Sequence, residues 1–169
     1  FEMLRSLNQK QKEFFYEVVS REQNNLPYHF VLIGKAGTGK SRVLKSINSW
    51  IDHYHSTMRG NDPDLPFNLV AAYTGNAAFQ AGGHTFHSAL AIRAMKGNDS
   101  IVHGLIADKT LQHLKNVFSS IKHLSGDEFT YIGSSMLSKI NRHLKLIKDS
   151  RDDFCLLYTS DAADDSQCV

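Results

Sequence analysis

Gly34-Lys35-Ala36-Gly37-Thr38-Gly39-Lys40-Ser41 fits G-x-x-x-x-G-K-[ST] at every fixed position. Before it, His29-Phe30-Val31-Leu32-Ile33 reads as a buried strand, and after it Arg42 to Tyr54 reads as a helix. Strand, glycine loop and helix are the context a phosphate cradle needs. Glycines let successive N–H groups turn inward on phosphate oxygens, and the helix N-terminus adds partial positive charge. In such a loop Lys40 reaches the β- and γ-phosphates and Ser41 offers its hydroxyl to Mg²⁺. A glycine-rich turn without a ligand shares this local pattern, so the loop alone predicts ATP or GTP binding and leaves the reaction open.

The chain has 169 residues, 41% of them hydrophobic and 21% charged, which suits one globular domain with a proper core. No apolar run approaches the roughly 18 residues that span a bilayer, and no signal h-region opens the chain, so no membrane association and an intracellular address are expected. Phe1 in place of methionine suggests a missing or trimmed N-terminus.

Residues 155–164, Cys-Leu-Leu-Tyr-Thr-Ser-Asp-Ala-Ala-Asp, match the in-frame translation of a transposase-type sequencing adaptor. The division expected is therefore residues 1–154 as the natural domain and 155–169 as a non-native tail, the alternative being a genuine acidic tail. The tail holds both cysteines, so the rest has none for disulfides or thiolate metal sites. It also holds Asp161, Asp164 and Asp165 and no base. Removing it leaves 14 acids (17 less three) against 19 Lys and Arg, a net charge of +5. That is compatible with nucleic acid without being diagnostic of it.

Along the chain, Leu7 to Gln23 has helical apolar spacing with Asn8 as N-cap, and Met58 to Pro66 is a loop. Asn68 to Tyr73 reads as a second buried strand, followed by small-residue helical pieces near 76–81 and 85–95. Lys96 to Ser100 is a polar break, Leu111 to Phe118 a helix, and Ile121 to Ser125 a short third strand. Met136, Leu137, Ile140, Leu144 and Ile147 line one face of a helix over 134–147. Strands alternating with helices predict an α/β fold, a three-layer α/β/α sandwich around a parallel sheet.

Three further segments narrow the function. Ala71 to Ser88 contains Thr74-Gly75-Asn76-Ala77-Ala78 and Gly83-His84-Thr85-Phe86-His87-Ser88. Asp127-Glu128 places two carboxylates side by side, and Leu7-Asn8-Gln9-Lys10-Gln11 precedes the phosphate loop. Together these resemble the PIF-like (petite integration frequency) DNA helicases of superfamily one, relatives of RecD and the Helitron helicases. Their patterns are A-x-T-G-x-A-A, G-x-T-[IF]-H-S, D-E-[IV]-S-M-[VI]-G and L-N-x-x-Q.

The resemblance implies a P-loop NTPase (RecA-like) lobe with an incomplete sheet, using ATP and Mg²⁺. Gln11 would read the adenine, residues Gly34 to Ser41 would hold the phosphates, and Ser41 with Asp127 would hold the metal. Lys40 and Glu128 would be catalytic, Glu128 polarising the attacking water. Thr74, Gly75 and Thr85 would grip phosphates of single-stranded DNA, while Phe86, His84 or His87 stack on or contact bases. It further implies a monomeric 5′→3′ motor with a second RecA-like lobe missing from this chain. A nuclear or mitochondrial address, if the source is eukaryotic, and work in DNA repair, recombination or telomere maintenance also follow from the resemblance.

One departure stands out. Family members carry a hydrophobic strand before the Asp-Glu pair, but here His123-Leu124-Ser125-Gly126 is polar and Tyr131 replaces methionine. This predicts a weakly formed strand or a degenerate sequence, with hydrolysis impaired and nucleotide binding surviving. A non-catalytic nucleotide- or DNA-binding remnant of a mobile element is therefore a second reading, and a P-loop kinase a third. His53-x-His55 and His84-x-x-His87 lack a second supporting pair for zinc. Lys139, Arg142, Lys145 and Lys148 form either a solvated helix face or a phosphate track.

Overall fold

A computed structural model describes residues 2–35, 37–93, 106–154 and 157–162 of the chain. After a short α1 (Glu2–Arg5), the elements run α2 (Gln9–Gln23), β1 (Val31–Gly34), α3 (Lys40–Ser56), β2 (Asn68–Ala72), α4 (Gly75–Ala81) and β3 (His84–Thr85). Then come α5 (Phe86–Ala89), α6 (Asp108–Val117), β4 (His123–Asp127), a 3₁₀ turn (Phe129–Tyr131), α7 (Ser134–Lys148) and β5 (Leu157–Ala162). The five strands form one sheet in the order β1-β5-β4-β2-β3, and every neighbouring pair is parallel. Parallel neighbours need crossovers, and the intervening helices supply them on both faces. The expected α/β/α architecture is the one observed. The polar break at Lys96–Ser100 falls outside the described residues, and of the helix expected near 85–95 only Phe86–Ala89 is helical among them.

Two apolar clusters flank the sheet. One joins α2 and α3 through Phe15, Val18, Val43, Leu44, Ile47 and Ile51, with Phe67 and Leu32 from the sheet side. The other joins α5, α6 and α7 through Phe86, Leu90, Leu114, Ile140 and Leu144 against Ala71 and Leu124. Helix α2 starts as its sequence requires. The Asn8 side chain accepts a hydrogen bond from Gln11 N at 3.0 Å, and Gln11 Oε1 accepts from Asn8 N at 2.8 Å, a complete capping box.

Strand β1 corrects the buried strand expected over 29–33. It begins at Val31, and Val31 and Ile33 are 54% and 64% exposed. Leu32 points to the α2–α3 cluster, so successive residues alternate between a covered and an open face. Helices α6 and α7 lie over β2 and β4, and β1 is the sheet's edge. An apolar strand pattern reports propensity for the sheet but not which strand will be covered on both sides.

The strand before the Asp-Glu pair is also better formed than its polarity predicts. All five residues of β4 pair with β2, from Asn68↔His123 to Ala72↔Asp127. Leu124 enters the α6–α7 cluster, while Ser125 and His123, on the opposite face, lie buried under α3. Ser125 Oγ donates to Asn48 Oδ1 at 2.6 Å. His123 Nδ1 lies 3.3 Å from Tyr28 Oη, which also donates to Glu22 Oε2 at 2.7 Å, and Glu22 Oε1 holds His55 Nε2 at 2.7 Å. Partners contributed by α3 and the chain before β1 satisfy Ser125 Oγ and His123 Nδ1, which lowers the cost of a polar strand in the core, because a buried polar group is costly chiefly when unsatisfied. Burial pushes the His123 imidazole down to about 3, with the nearby His55 adding to the shift, so its ring is neutral at physiological pH.

Strand β5 lies within the stretch read from sequence as a tail, between β1 and β4. Its pairing is made by backbone groups, which any residue except proline provides.

Candidate functional site

The site is assembled on the carboxyl edge of the sheet. Register places Ala72, at the end of β2, opposite Asp127 in β4 and Thr85 in β3. Neighbouring strands are about 4.8 Å apart, so Asp127, Ala72 and Thr85 form a row roughly 10 Å wide. In parallel α/β sheets, this edge is where loops meet ligands.

The phosphate loop links β1 to α3. Gly37 and Gly39 have φ values of +78° and +86°, which glycine adopts without the cost other residues incur. A Cβ on Gly39 would stand 2.6 Å from Gln11 Nε2, so a larger residue there would displace the Gln11 amide from the loop. Thr38 Oγ1 donates to Lys35 O at 2.8 Å, and Lys40 Nζ donates to Lys35 O at 2.9 Å and to Gly34 O at 2.5 Å. The lysine is thus folded onto the loop's carbonyls. A charge-assisted bond to phosphate is stronger than one to a neutral carbonyl, so an incoming nucleotide can draw it outward. Ala36 lies outside the described residues.

Gln11 sits at the loop, with its amide engaged on both sides. Nε2 donates to Thr38 O at 2.8 Å and Oε1 closes the α2 capping box. Reading an adenine edge with both amide atoms requires both bonds to open.

Ser41 and Asp127 line one cleft of about 180 Å³ together with Lys45, Asn48 and Gln80. A hydroxyl and a carboxylate facing a common space form an oxygen donor set suited to Mg²⁺, which takes few protein ligands and keeps several waters. Asp127 Oδ1 accepts from Glu128 N at 3.0 Å. Glu128 itself adopts φ 55°, ψ 48°, a left-handed conformation costing on the order of 1 kcal/mol or more outside glycine. That turn takes the chain from β4 into the 3₁₀ segment and sets the glutamate next to the cleft-lining aspartate.

The loops expected to bind DNA reach the same edge. Thr74 caps α4, its Oγ1 accepting from Ala77 N at 3.2 Å, and Gly75 opens the helix. Gly82, with φ +74°, ends α4, and Gly83 brings the chain against β2. A Cβ on Gly83 would stand 2.2 Å from Val70 O, so only glycine permits β3 to pair there. Thr85 then caps α5, accepting from Ser88 N at 3.1 Å. His84 is exposed, and the His87 ring lies 5.9 Å from that of Tyr73.

Phe86 is a correction. It is fully buried in the α5–α6–α7 cluster, so its ring supports the fold and cannot stack on a base. The chain leaves His84 exposed in β3, and the α5 turn that follows sends Phe86 inward. Besides His84, the rings open to solvent near this edge among the described residues include Tyr73, 36% exposed, Phe79, 86% exposed on α4, and Tyr131, 63% exposed in the 3₁₀ turn after Glu128. On α7, Lys148 Nζ donates to Phe118 O and Ile121 O, and Lys145 pairs with Asp153 at 2.6 Å. Two of the four cations considered for a phosphate track therefore hold the lobe together. Among the described residues no helix is long and apolar enough to cross a membrane.

Comparison with known proteins agrees with this geometry. The chain is 29% identical over 108 residues to the ATP-dependent DNA helicase PIF4 of Trypanosoma brucei brucei, covering 64% of this chain and 12% of that protein. The Pif1 helicase of Candida albicans superposes with a TM-score of 0.68 at 24% identity, over 92% of this chain and 32% of that one. A Bacteroides Pif1 bound to single-stranded DNA superposes with a TM-score of 0.64 at 22% identity, again over 92% of this chain and 32% of that one. The chain therefore spans about a third of these solved relatives, and their likeness establishes the RecA-like fold of the described lobe. The PIF1-like helicase model matches residues 6–156, from before α2 through the end of α7 and beyond, and so the chain belongs to the PIF1-like helicase family.

Proposed function

We propose that residues 1–154 are the first motor lobe of an ATP-dependent DNA helicase, which binds Mg·ATP and grips single-stranded DNA on one sheet edge. The observation that carries this is the register Thr85–Ala72–Asp127, which sets a DNA-loop residue and the metal-site carboxylate two strands apart. In this reading Ser41 and Asp127 hold Mg²⁺, Lys40 and the loop from Gly34 to Ser41 hold the phosphates, and Gln11 selects adenine. Mg²⁺ supplies charge neutralisation on the phosphates. Glu128 accepts a proton from the attacking water, and Thr74, Gly75 and Thr85 contact DNA phosphates. The relatives' names support the DNA and ATP assignments: the Trypanosoma relative is an ATP-dependent DNA helicase, and Bacteroides Pif1 has been solved both with ADP-AlF4 and with single-stranded DNA.

A second RecA-like lobe outside this sequence completes the ATP site, and 5′→3′ translocation by a monomeric motor follows from its opening and closing. An intracellular address, nuclear or mitochondrial in a eukaryote, and duties in repair, recombination or telomere maintenance belong to the same proposal. So does an adaptor origin for residues 155–169, supported by the family match ending at residue 156 and tested by reading the underlying codons. The remnant reading is the alternative, and Glu128-dependent ATP turnover by the protein extended to its second lobe would exclude it.

The test is direct. This chain should bind a fluorescent ATP analogue in a Mg²⁺- and Lys40-dependent manner and bind single-stranded DNA, yet separate no strands. The protein extended to its second lobe should hydrolyse ATP on DNA addition and lose turnover in Glu128→Gln. Nucleotide binding indifferent to Lys40→Ala, or turnover indifferent to DNA, would overturn the reading.

A further inference from the structure

Tyr73 occupies a position that the A-x-T-G-x-A-A pattern leaves open, immediately after the last residue of β2. Its ring is partly exposed at the strand exit and rests 5.9 Å from the His87 ring at an interplanar angle of 55°. His87 is half-buried, anchored in the short α5 helix whose Phe86 is locked in the core. The tyrosine ring is thus in contact with a half-buried ring and remains partly open to solvent. Thr74 follows it directly, and the Thr74 hydroxyl, which accepts from Ala77 N, still has its O–H to donate. A ring beside a hydroxyl free to donate is a combination that sequence-tolerant single-strand binding uses: backbone held by donors, a base laid on an aromatic face.

Resting on the single-stranded DNA reading above, we propose that Tyr73, backed by His87, is the base-stacking residue of this lobe. The alternatives at this edge fit less well. Phe86 is buried. Phe79, five residues beyond Thr74 on α4, and Tyr131, in the 3₁₀ turn after the Asp127-Glu128 pair, are more exposed, but among the described residues neither has a ring packed against it as Tyr73 has. His84 offers a smaller, more polar ring. Tyr73 supplies a large amphipathic face with few rotatable bonds, so little side-chain freedom is lost on stacking.

The experiment uses the full 169-residue chain and two labelled oligonucleotides of equal length, one of oligo-dT and one abasic, read by fluorescence anisotropy at low salt. Both share the phosphate backbone, and only the first has bases to stack. The native chain should bind oligo-dT more tightly than the abasic strand. Tyr73→Ala should weaken oligo-dT binding about 5- to 150-fold, towards the abasic value, and leave abasic binding unchanged. Tyr73→Phe should retain oligo-dT binding, as should Phe79→Ala and the distant exposed-ring control Tyr16→Ala. Equal affinity of the native chain for both strands would overturn the Tyr73 assignment while the DNA reading stands. So would unchanged oligo-dT binding by Tyr73→Ala, equal losses on both strands, or Phe79→Ala as the damaging change. Failure of the native chain to bind either strand would overturn the DNA reading, and the assignment with it. Circular dichroism melts of each variant show whether a loss reflects unfolding, in which case Tyr73→Phe and His87→Ala carry the test: stacking requires that the first hold and the second weaken oligo-dT alone.

Discussion

Replacing His123 by leucine should make the protein's stability less sensitive to acid. In the native state the His123 ring is 2% exposed and titrates at about 3, displaced from 6.5 first by burial and then by His55. An unfolded chain titrates near 6.5. Above pH 6.5 the ring is neutral in both states and its titration contributes no instability. As the pH falls below 6.5 the unfolded chain gains a proton that the native state refuses, so stability is lost progressively down to about pH 3. At about 1.36 kcal/mol per unit, the loss attributable to this ring is roughly 2 kcal/mol at pH 5 and about 5 kcal/mol at its limit. Against a total of about 5–15 kcal/mol for a domain, that is substantial. His123→Leu keeps a buried side chain of similar volume and gives up the contact with Tyr28 Oη, worth about 1 kcal/mol at any pH. The assay is urea unfolding followed by circular dichroism at pH 7 and pH 5. Native protein should lose about 2 kcal/mol more than the variant over that interval, or about 4–8 °C in Tm for a chain of this size. Asp153, whose carboxyl is held below its usual range by Lys145 and Asn141, sheds its contribution at lower pH, and the Glu22–His55 pair is common to both proteins. Identical losses in the two proteins would refute the reasoning, because His123 would then take up its proton without unfolding.

Other substitutions separate structural from chemical roles. Phe86→Ala should lower stability by about 3–5 kcal/mol in chemical denaturation, as removal of a buried core ring does, and any effect on DNA binding should disappear under conditions where the variant is fully folded. Gly83→Ala should cost about 1–3 kcal/mol in the same assay, because a methyl group 2.2 Å from Val70 O forces β3 away from β2. Ser125→Ala, which strands the buried Asn48 Oδ1, should cost about 1–3 kcal/mol, whereas a weakly formed β4 would barely respond. Glu128→Gly, relieving a left-handed backbone, should preserve or raise the melting temperature while abolishing turnover in the protein extended to its second lobe.

Local rules account for much of what was legible. Asn8 starts α2 because its side chain caps the helix, and Gln11 completes the box three residues on. Gly37, Gly39 and Lys40 mark the phosphate loop because their roles depend on backbone freedom and a single charge. What escaped sequence reading depends on partners distant along the chain. Ser125 meets Asn48 from 77 residues away and His123 meets Tyr28 from 95, so the polarity of β4 looked like a defect until α2 and α3 were laid over it. Phe86 and Tyr73 are both aromatic residues near the DNA motifs, and only packing decides that one is core and the other surface.

By itself, then, the sequence determined the alternation of strands and helices that makes an α/β fold, the phosphate loop, the carboxylate pair and the family, all properties written in short stretches whose chemistry is local; β3 and β5 were not among them. Tertiary structure alone decided which row of residues shares the sheet edge, that Ser41 and Asp127 open on one cleft, that β1 is bare on one face, and which aromatic rings water can reach. The physical reason is that side-chain direction and burial are set by register and by what packs above each strand, and these bring together residues separated by as many as 128 positions, as Val31 and Thr159 are.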